Sequence, residues 1–437
     1  MPRLIVLLLF LSQLGYAADP SYLAAARDAG RWIQTSAMQR DGGVVWPADP
    51  NDAKSVNPTL YAGTPGPILF FLEAYRATGD KQYLNQAEHG ADALIADVSV
   101  EKETGLYEGL AGEGYTLGEV YLVGGKTKYR EAALHCVELL RERAQTSGDG
   151  VKWNDTTDII AGSAGTGLFL LWADAKLHAA GAKELAIQAG NHLLEAAQHP
   201  AADRNKWMMD PQYPRELPNF SHGTAGVAYF LATLYQATHE ERFREGALAG
   251  ARYLLSIADV DHDMCLIYHN DTPEGRKLYY LSWCHGPAGT ARLFYRLNQI
   301  TGDRTWLTWM NRAANAVVES GAPQKVVTPG SWNNISVCCG TTGQAAFFLE
   351  MYGVTHDAKY LRLARDATSL LLRKSTRDGG GIRWVQAETR VKPEIEIAQT
   401  GLMQGASGVG LWLLHLAEFE RGQKTPAIVL PDNPFAY

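Results

Sequence analysis

The stretch GTAGVAYFLATLY, residues Gly223–Tyr235, joins a Gly-x-x-Gly turn to about three helical turns of apolar residues. A run that is apolar on nearly every side predicts a helix buried all round. The same turn occurs seven times, 46 to 65 residues apart, at Gly63–Gly66, Gly109–Gly112, Gly162–Gly165, Gly223–Gly226, Gly286–Gly289, Gly340–Gly343 and Gly405–Gly408. Seven turns in phase indicate a structural repeat, which one isolated turn would not.

The residues after the apolar runs predict a second set of helices. Polar breaks such as Thr78-Gly79-Asp80 and Thr301-Gly302-Asp303 supply a glycine that ends one helix and an acidic residue that caps the next. The segments that follow alternate apolar and charged faces at helical spacing, as in Gln82–Ala96, Arg242–Ile257 and Lys359–Leu372. We therefore expect fourteen helices in seven hairpins, with apolar inner helices and amphipathic outer helices.

The ends of the repeat array distinguish a closed ring from an open solenoid. Terminal repeats of a solenoid need polar caps, and neither the first nor the last apolar helix looks capped. The predicted fold is therefore an all-α (α/α)7 toroid that spans residues 18–424. Gly-rich pieces in the connecting loops predict short β-hairpins around the entrance, which would display Trp46, Trp153 and Trp384.

Both termini are expected to lie outside this toroid. Arg3, the apolar run Leu4–Leu11 and Gly15-Tyr16-Ala17 have the layout of a signal peptide, residues 1–17, cleaved after Ala17. An uncleaved anchor or a first core helix is the alternative, but the run is shorter than the about 20 apolar residues of a membrane span and lacks a stop-transfer flank. We expect an exported protein, periplasmic or secreted, without stable membrane insertion. Prolines predict a non-helical tail over residues 425–437.

Composition narrows the possible partners. The 437-residue chain is 46% hydrophobic, carries a net charge of −7 with a pI near 6.0, and has no Lys/Arg-rich run. Nucleic acid is therefore not an expected partner. Five cysteines are an odd number, and a large core does not need a disulfide framework, so Cys136 and Cys265 are interpreted as core residues. The sequence does not indicate an oligomeric state.

The residues just ahead of the turns are expected to face a central cavity, because all inner helices begin at one end of the ring. They are Asp158, His222, Cys284, Cys338, Cys339 and Gln404. Three thiols near helix N-termini are expected to have lowered pKa values and to bind a thiophilic ion such as Zn²⁺. Three protein ligands would leave the fourth position open, as in catalytic zinc sites.

Other interpretations of these residues are open at this point. Cys338 and Cys339 could form a vicinal disulfide, or His285 could close a structural zinc site. The register of His222, one repeat before the first of these cysteines, favours a catalytic role over an ordinary buried histidine. Asp158 either belongs to the same site or caps an inner helix.

Several motifs together resemble the lanthionine synthetase C-like family over essentially the whole mature chain. They are the sevenfold turn, Ser221-His222-Gly223-Thr224-Ala225-Gly226, Trp283-Cys284-His285-Gly286 and Cys338-Cys339-Gly340. The resemblance implies an (α/α)7 toroid with a central zinc ion. It also implies addition of a cysteine thiol to dehydroalanine or dehydrobutyrine, or, as in eukaryotic relatives, the handling of glutathione adducts.

The resemblance also assigns roles residue by residue. Cys284, Cys338 and Cys339 match the zinc ligands, with Cys339 in a position where many members have histidine. His222 matches the histidine proposed to donate or accept a proton, and Asp158 matches the family's conserved aspartate. Catalysis is therefore expected from His222 and Asp158, with Zn²⁺ as the cofactor.

Two features depart from the peptide cyclases of that family. Tyr280 stands where the cyclases carry an arginine, and Arg276 is the candidate replacement for that cation. The expected signal peptide would also place the chain outside the cytoplasm, where cyclases meet their leader-bearing precursors. The expected function is zinc-dependent addition of a thiolate to a dehydroamino acid or related electrophile, with a thiol-containing peptide or small molecule as substrate.

Two other functions compete with this expectation. Helical toroids also suit carbohydrate-active enzymes, with exposed tryptophans stacked on sugars and Glu108, Glu113 or Asp155 as acid and base. The chain could instead be an exported zinc-binding protein without catalysis. Paired carboxyls about 5–9.5 Å apart across the cavity would favour a carbohydrate-active enzyme. A protein side chain in the fourth metal position would favour a zinc-binding protein without catalysis.

Overall fold

A computed structural model describes residues 20–40, 42–213, 215–422 and 428–435. The expected signal peptide, residues 1–17, lies outside these ranges. The described chain contains fourteen α-helices: α1 (Pro20–Thr35), α2 (Pro65–Thr78), α3 (Lys81–Val98), α4 (Leu110–Gly124), α5 (Thr127–Glu142), α6 (Ser163–Leu177), α7 (Ala182–Glu195), α8 (Thr224–Thr238), α9 (Glu241–Ile257), α10 (Pro287–Thr301), α11 (Thr305–Ser320), α12 (Thr341–Thr355), α13 (Ala358–Lys374) and α14 (Ala406–Glu420).

The helices alternate between an inner and an outer layer. Each even-numbered helix follows a Gly-x-x-Gly turn and packs against the next odd-numbered helix, while α14 pairs with α1. The inner helices also contact their neighbours around the ring, and α14 packs against α2. The predicted (α/α)7 toroid is confirmed, and its ring is closed. None of the described helices combines the length and the apolar character needed to cross a membrane.

The second glycine of each turn is needed because the inner helix lies very close to the backbone just ahead of the turn. A Cβ added at Gly289 would stand 2.0 Å from the carbonyl oxygen of Trp283, and one at Gly343 would stand 2.2 Å from that of Val337. Close packing leaves no space for such an atom. Any side chain at either position would push its helix away from the rim.

A closed circle of backbone hydrogen bonds links the segments ahead of the seven turns. Nearly all its members lie two positions before the first glycine of a turn. Its N–H to O=C bonds, 2.9–3.3 Å long, run Tyr61 to Tyr107, Tyr107 to Ile160, Ile159 to Ser221, Ser221 to Cys284, Cys284 to Cys338, Cys338 to Met403 and Met403 to Tyr61. We call this set the rim circle. It joins the first repeat to the last and makes Cys284 and Cys338 direct neighbours.

Short antiparallel strand pairs occur in the loops, as predicted. The described pairs are β1 (Met38–Arg40) with β2 (Gly43–Val45), β3 (Gln145–Ser147) with β4 (Gly150–Lys152), β5 (Gln198–Ala201) with β6 (Arg204–Lys206), β7 (Asp259–Asp261) with β8 (Met264–Leu266), β9 (Thr376–Asp378) with β10 (Gly381–Arg383), and β11 (Gln386–Ala387) with β12 (Glu396–Ile397). The first five pairs each follow an outer helix and pack against the next outer helix around the ring.

The prediction that tryptophans are displayed at the entrance is wrong. Trp46, Trp153 and Trp384 directly follow β2, β4 and β10, and each is at most 7% exposed. Each indole N–H donates to a carbonyl near the C-terminal end of the preceding outer helix, as Trp46 does to Ile33 at 3.0 Å. Trp207, after β6, makes the equivalent bond. These tryptophans therefore connect consecutive outer helices instead of facing solvent.

The described part of the C-terminal tail, Ile428–Phe435, lies inside the ring. It is non-helical, as its prolines predict. It contacts inner helices on different sides of the ring through four pairs: Ile428 with Glu73, Val429 with Tyr115, Asn433 with Glu350, and Phe435 with Tyr295. This segment is therefore part of the core of the toroid, a position that the sequence analysis did not predict.

Candidate metal centre

The three cysteines predicted to bind metal converge at one end of the ring. Cys284 and Cys338 are adjacent members of the rim circle, and Cys339 follows Cys338. The Sγ of Cys339 lies 2.9 Å from that of Cys284 and 3.4 Å from that of Cys338. Cys284 and Cys338 are buried, while Cys339 is partly exposed. All three line one cavity.

This donor set fits a single soft ion. The three sulfurs lie within 4.8 Å of one another, and zinc–sulfur bonds of about 2.3 Å let one ion contact all three. All five cysteines are free thiols, so no vicinal disulfide joins Cys338 to Cys339. His285 does not belong to the ligand cluster found among the described residues. Its ring packs against His269 at 4.4 Å instead.

Hydrogen bonding within the cluster favours one thiolate. The neighbouring thiols Cys284 and Cys339 donate to Cys338, which lowers the pKa of Cys338 well below its usual value in spite of burial. Burial raises the pKa of Cys284, and hydrogen bonding to the other two thiols raises that of Cys339. Without a bound ion, the pKa is lowered for Cys338 and raised for Cys284 and Cys339, whereas the sequence analysis expected it to be lowered for all three.

Tyr61 is a contact of the cluster that the sequence analysis missed. Its hydroxyl donates to Sγ of Cys338 at 3.3 Å and accepts from Nε2 of Gln404 at 2.7 Å. Gln404 was expected to face the cavity, and it does line it. Tyr61 stands two residues before Gly63, the same register as Cys284 before Gly286, so the repeat pattern carried a signal for it.

His222 and Asp158 form a hydrogen-bonded pair beside the cluster. Nδ1 of His222 lies 2.6 Å from Oδ2 of Asp158. The other carboxylate oxygen of Asp158, Oδ1, accepts hydrogen bonds from the amides of Ala161 and Gly162 at 2.8 and 3.0 Å. Asp158 therefore orients His222 and holds the turn just ahead of α6. Its side chain does not cap the helix, because the first amides of α6 bond to the backbone carbonyls of Thr156, Thr157 and Asp158. Burial lowers the pKa of His222, but the hydrogen bond and charge of Asp158 outweigh it, so the pKa is raised.

Imidazole and aromatic rings form another wall of the cavity. His269 packs against Tyr280 at 4.5 Å, and Tyr280 packs against Trp332 at 5.3 Å. Burial lowers the pKa of His269 to about 4 and that of His285 well below its usual value. Both imidazoles are therefore neutral at neutral pH. His269 and Trp332 lie in irregular loops, where the repeat pattern gives no signal.

Arg276 does not supply a cation to the cavity, contrary to the expectation for it. Its guanidinium lies over the ring of Tyr268, 4.8 Å from the centroid, and donates to the carbonyl oxygen of Asp271. Arg390 lines the cavity instead. Burial raises the pKa of Tyr280 to about 12, and a hydrogen bond from Arg390 opposes that rise. Arg390 lies in the connection between β11 and β12, outside the repeat pattern.

The carboxylates proposed for carbohydrate chemistry do not meet. The cavity has a volume of about 380 Å³, and Glu108 lines it, whereas Glu113 and Asp155 do not. Glu113 is buried in α4, where burial raises its pKa to about 9. Asp155 is exposed and pairs with Lys152. These three residues therefore do not provide an acid and a base across one cavity.

The tail contacts the candidate metal centre from inside the ring. Trp283, which precedes Cys284, donates its indole N–H to Oδ2 of Asp432 at 3.1 Å. Arg292 of α10 donates to the same oxygen at 2.8 Å, and its guanidinium lies 3.6 Å from Glu350. Trp283 thus packs against the tail and also lines the cavity.

A closed (α/α)7 ring with three thiols and a His–Asp pair at one end defines the class of protein. The profile described as "Lanthionine synthetase C-like protein" matches residues 54–430. The chain belongs to the lanthionine synthetase C-like family.

Similar proteins agree with this assignment. The "Glutathione S-transferase LANCL1" of Danio rerio is 21% identical over 322 residues, which cover 72% of this chain and 73% of that protein. The structure of nisin cyclase has a TM-score of 0.64 at 15% identity, covering 92% and 94% of the two chains. A family 76 glycoside hydrolase from a bovine Bacteroides thetaiotaomicron strain has a TM-score of 0.52 at 13% identity, covering 92% and 78%. The structural likenesses show the shared fold, which does not decide function.

Proposed function

We propose that the protein is a zinc-dependent enzyme that adds a thiolate to a dehydroamino acid residue or a related electron-poor alkene. The observation that carries the proposal is the presence of three free thiols and the His222–Asp158 pair around one cavity. Zinc held by Cys284, Cys338 and Cys339 would lower the pKa of a substrate thiol from about 8.5, so that the thiolate dominates at neutral pH.

His222 moves the proton in this proposal. Because Asp158 occupies Nδ1, the nitrogen left to face the substrate is Nε2, which donates a proton to the carbon next to the new C–S bond. Asp158 orients the ring and stabilises its protonated form. One alkene carbon gains the sulfur and the other gains the proton, so the addition needs no further reactant.

The substrate is proposed to be a thiol-containing peptide or small molecule. One protein of similar structure is a cyclase of nisin, and one relative is named a glutathione S-transferase. The cavity volume of about 380 Å³ is within the usual range of about 300–1,000 Å³ for small-molecule sites. A side chain or a small thiol can therefore enter it.

Metal removal tests the proposal. The assay measures the addition of glutathione to a dehydroalanine peptide by mass spectrometry. Protein that has been dialysed against a chelator is expected to lose this activity and to regain it when zinc is added. Addition that continues at the same rate without metal would contradict the proposal.

Variants of the cysteines separate metal binding from folding. Replacement of Cys284, Cys338 or Cys339 by serine is expected to abolish stoichiometric zinc, measured by elemental analysis. Cys265→Ser is the matched control, because Cys265 is buried outside the cavity. His222→Gln is expected to keep zinc and to slow addition by about 10²- to 10⁴-fold.

We also propose that the reaction takes place after export, in the periplasm or outside the cell. The support is the signal-peptide layout of residues 1–17. The mature protein is expected in the exported fraction with an N-terminus near residue 18, as determined by mass spectrometry. A cytoplasmic protein that retains Met1–Ala17 would contradict export and would leave the chemistry untouched.

A further inference from the structure

Arg390 lines the cavity and has no part in the proposed reaction. The connection between β11 and β12 passes over the cavity, and Glu388, Thr389, Arg390 and Val391 line it. No other arginine and no lysine lines this cavity among the described residues. The cavity therefore carries a single fixed cation.

The guanidinium of Arg390 is incompletely paired. Its Nε is buried and has no hydrogen-bond partner, and no carboxylate forms an ion pair with it in the described part of the chain. The nearby Glu388 accepts from Nε2 of Gln399 at 3.1 Å instead. A partly buried arginine without a counter-charge is costly, and a planar guanidinium is shaped for two parallel hydrogen bonds to a carboxylate.

The position of Arg390 relative to the thiols limits what could fill this gap. Arg390 lines the same cavity of about 380 Å³ as Tyr280, Cys284, Cys338 and Cys339. A small molecule can therefore reach the cysteine cluster with one end and Arg390 with the other.

We propose that Arg390 binds a carboxylate of the thiol substrate, so that the favoured substrates are small thiols or thiol peptides that carry a carboxylate. This inference rests on the proposed thiol-addition function and names its substrate class. The neutral imidazole of His269 beside Arg390 does not compete for the anion, because burial and the charge of Arg390 keep its pKa near 4.

Matched pairs of thiols test the inference. Mercaptoalkanoic acids of two to six carbons, each compared with its amide, differ in charge at nearly constant size. Their dissociation constants are measured calorimetrically on metal-free protein and by the thiolate–cobalt absorption band on cobalt-loaded protein. At least one acid is expected to bind about tenfold or more tightly than its amide, the usual strength of a charge-assisted hydrogen bond.

Variants assign the preference to this side chain. Arg390→Gln is expected to remove the preference for the acid while leaving the affinity for the amide unchanged. Arg390→Lys is expected to retain part of it, since the charge remains without the planar fork. Lys392→Gln is the control, because Lys392 is exposed on the same connection and does not line the cavity.

The outcomes separate this inference from the proposed function. Equal affinities for acid and amide in every pair, or an equal loss of both in Arg390→Gln, would overturn the carboxylate site. Binding of neither thiol would overturn it as well. If the absorption band is absent while the calorimetric preference persists, the metal proposal fails and the carboxylate site stands.

Discussion

The proposed proton transfer depends on two residues, His222 and Asp158, which are hydrogen-bonded to each other. Asp158 raises the pKa of His222 against the opposing effect of burial. The protonated form of His222 is therefore present below this raised pKa and is lost as the pH rises through it. If His222 donates the proton, the rate of thiol addition must fall over the same pH range, which forms the alkaline limb of the pH–rate profile.

Asp158→Asn is expected to move the alkaline limb of the pH–rate profile to lower pH. Asparagine keeps an oxygen for the amides of Ala161 and Gly162, so the turn ahead of α6 is retained, but it removes the charge that favours the imidazolium. The rate of addition is measured from pH 5 to 9 on zinc-loaded protein. An unchanged alkaline limb in the variant would show that the titration belongs to another group.

The candidate site was predictable where it follows the repeat and not where it leaves it. The cysteines, His222 and Asp158 all stand just ahead of a turn, so one register placed them together before any coordinates. Tyr61 has that register too, but an aromatic residue does not stand out among the many apolar ones. Arg390 lies in an irregular connection, whose path depends on tertiary packing that sequence periodicity does not encode.

Among the elements, the C-terminal segment Ile428–Phe435 has an unexpected role. It places the fully buried carboxylate of Asp432 between Arg292 and Trp283. Arg292 is itself 9% exposed, so its charge depends on this partner and on Glu350. A tail read from the sequence as a simple end thus balances a charge in the core.

Asp432→Ala is expected to destabilise the protein by about 3–5 kcal/mol, because it leaves the charge of Arg292 without its main partner. The free energy of unfolding is measured by urea titration. Asp155→Ala, which removes an exposed pair with Lys152, is the control and should leave the free energy of unfolding nearly unchanged. Similar small effects of both substitutions would show that the tail does not stabilise the ring.

The tryptophans that follow the hairpins show that a strand pair can be predicted correctly while the exposure of its side chains is predicted wrongly. The Gly-rich pieces before Trp46, Trp153 and Trp384 do form hairpins. Their burial was missed because it depends on a carbonyl of an outer helix some thirteen residues earlier, to which each indole donates. This burial also removes the stacking surfaces on which the carbohydrate alternative depended.

At the scale of the whole molecule, helix count, layer order and ring closure all followed from the seven turns. They were predictable because each repeat has the same sequence pattern. A helix that is hard to assign in one repeat can therefore be assigned from the other six. The path of the C-terminal segment has no repeat to support it. Its place inside the ring follows from burial and ion pairing that only the assembled structure provides.

Zinc is expected to stabilise the whole ring, since its ligands precede two neighbouring inner helices, α10 and α12. At free zinc about a hundredfold above the dissociation constant, the stabilisation is about 2.7 kcal/mol. Differential scanning calorimetry with and without zinc measures it. Cys338→Ser should show no such gain, and an equal rise in its melting temperature would point to binding elsewhere.

The rim circle has a consequence for the order of assembly during synthesis. The amide of Cys338 bonds to Met403, and the amide of Met403 bonds to Tyr61. A chain still emerging from the ribosome already contains all three cysteines before it contains Met403. The circle of backbone hydrogen bonds that includes Cys284 and Cys338 is therefore completed only when the last repeat bonds to the first.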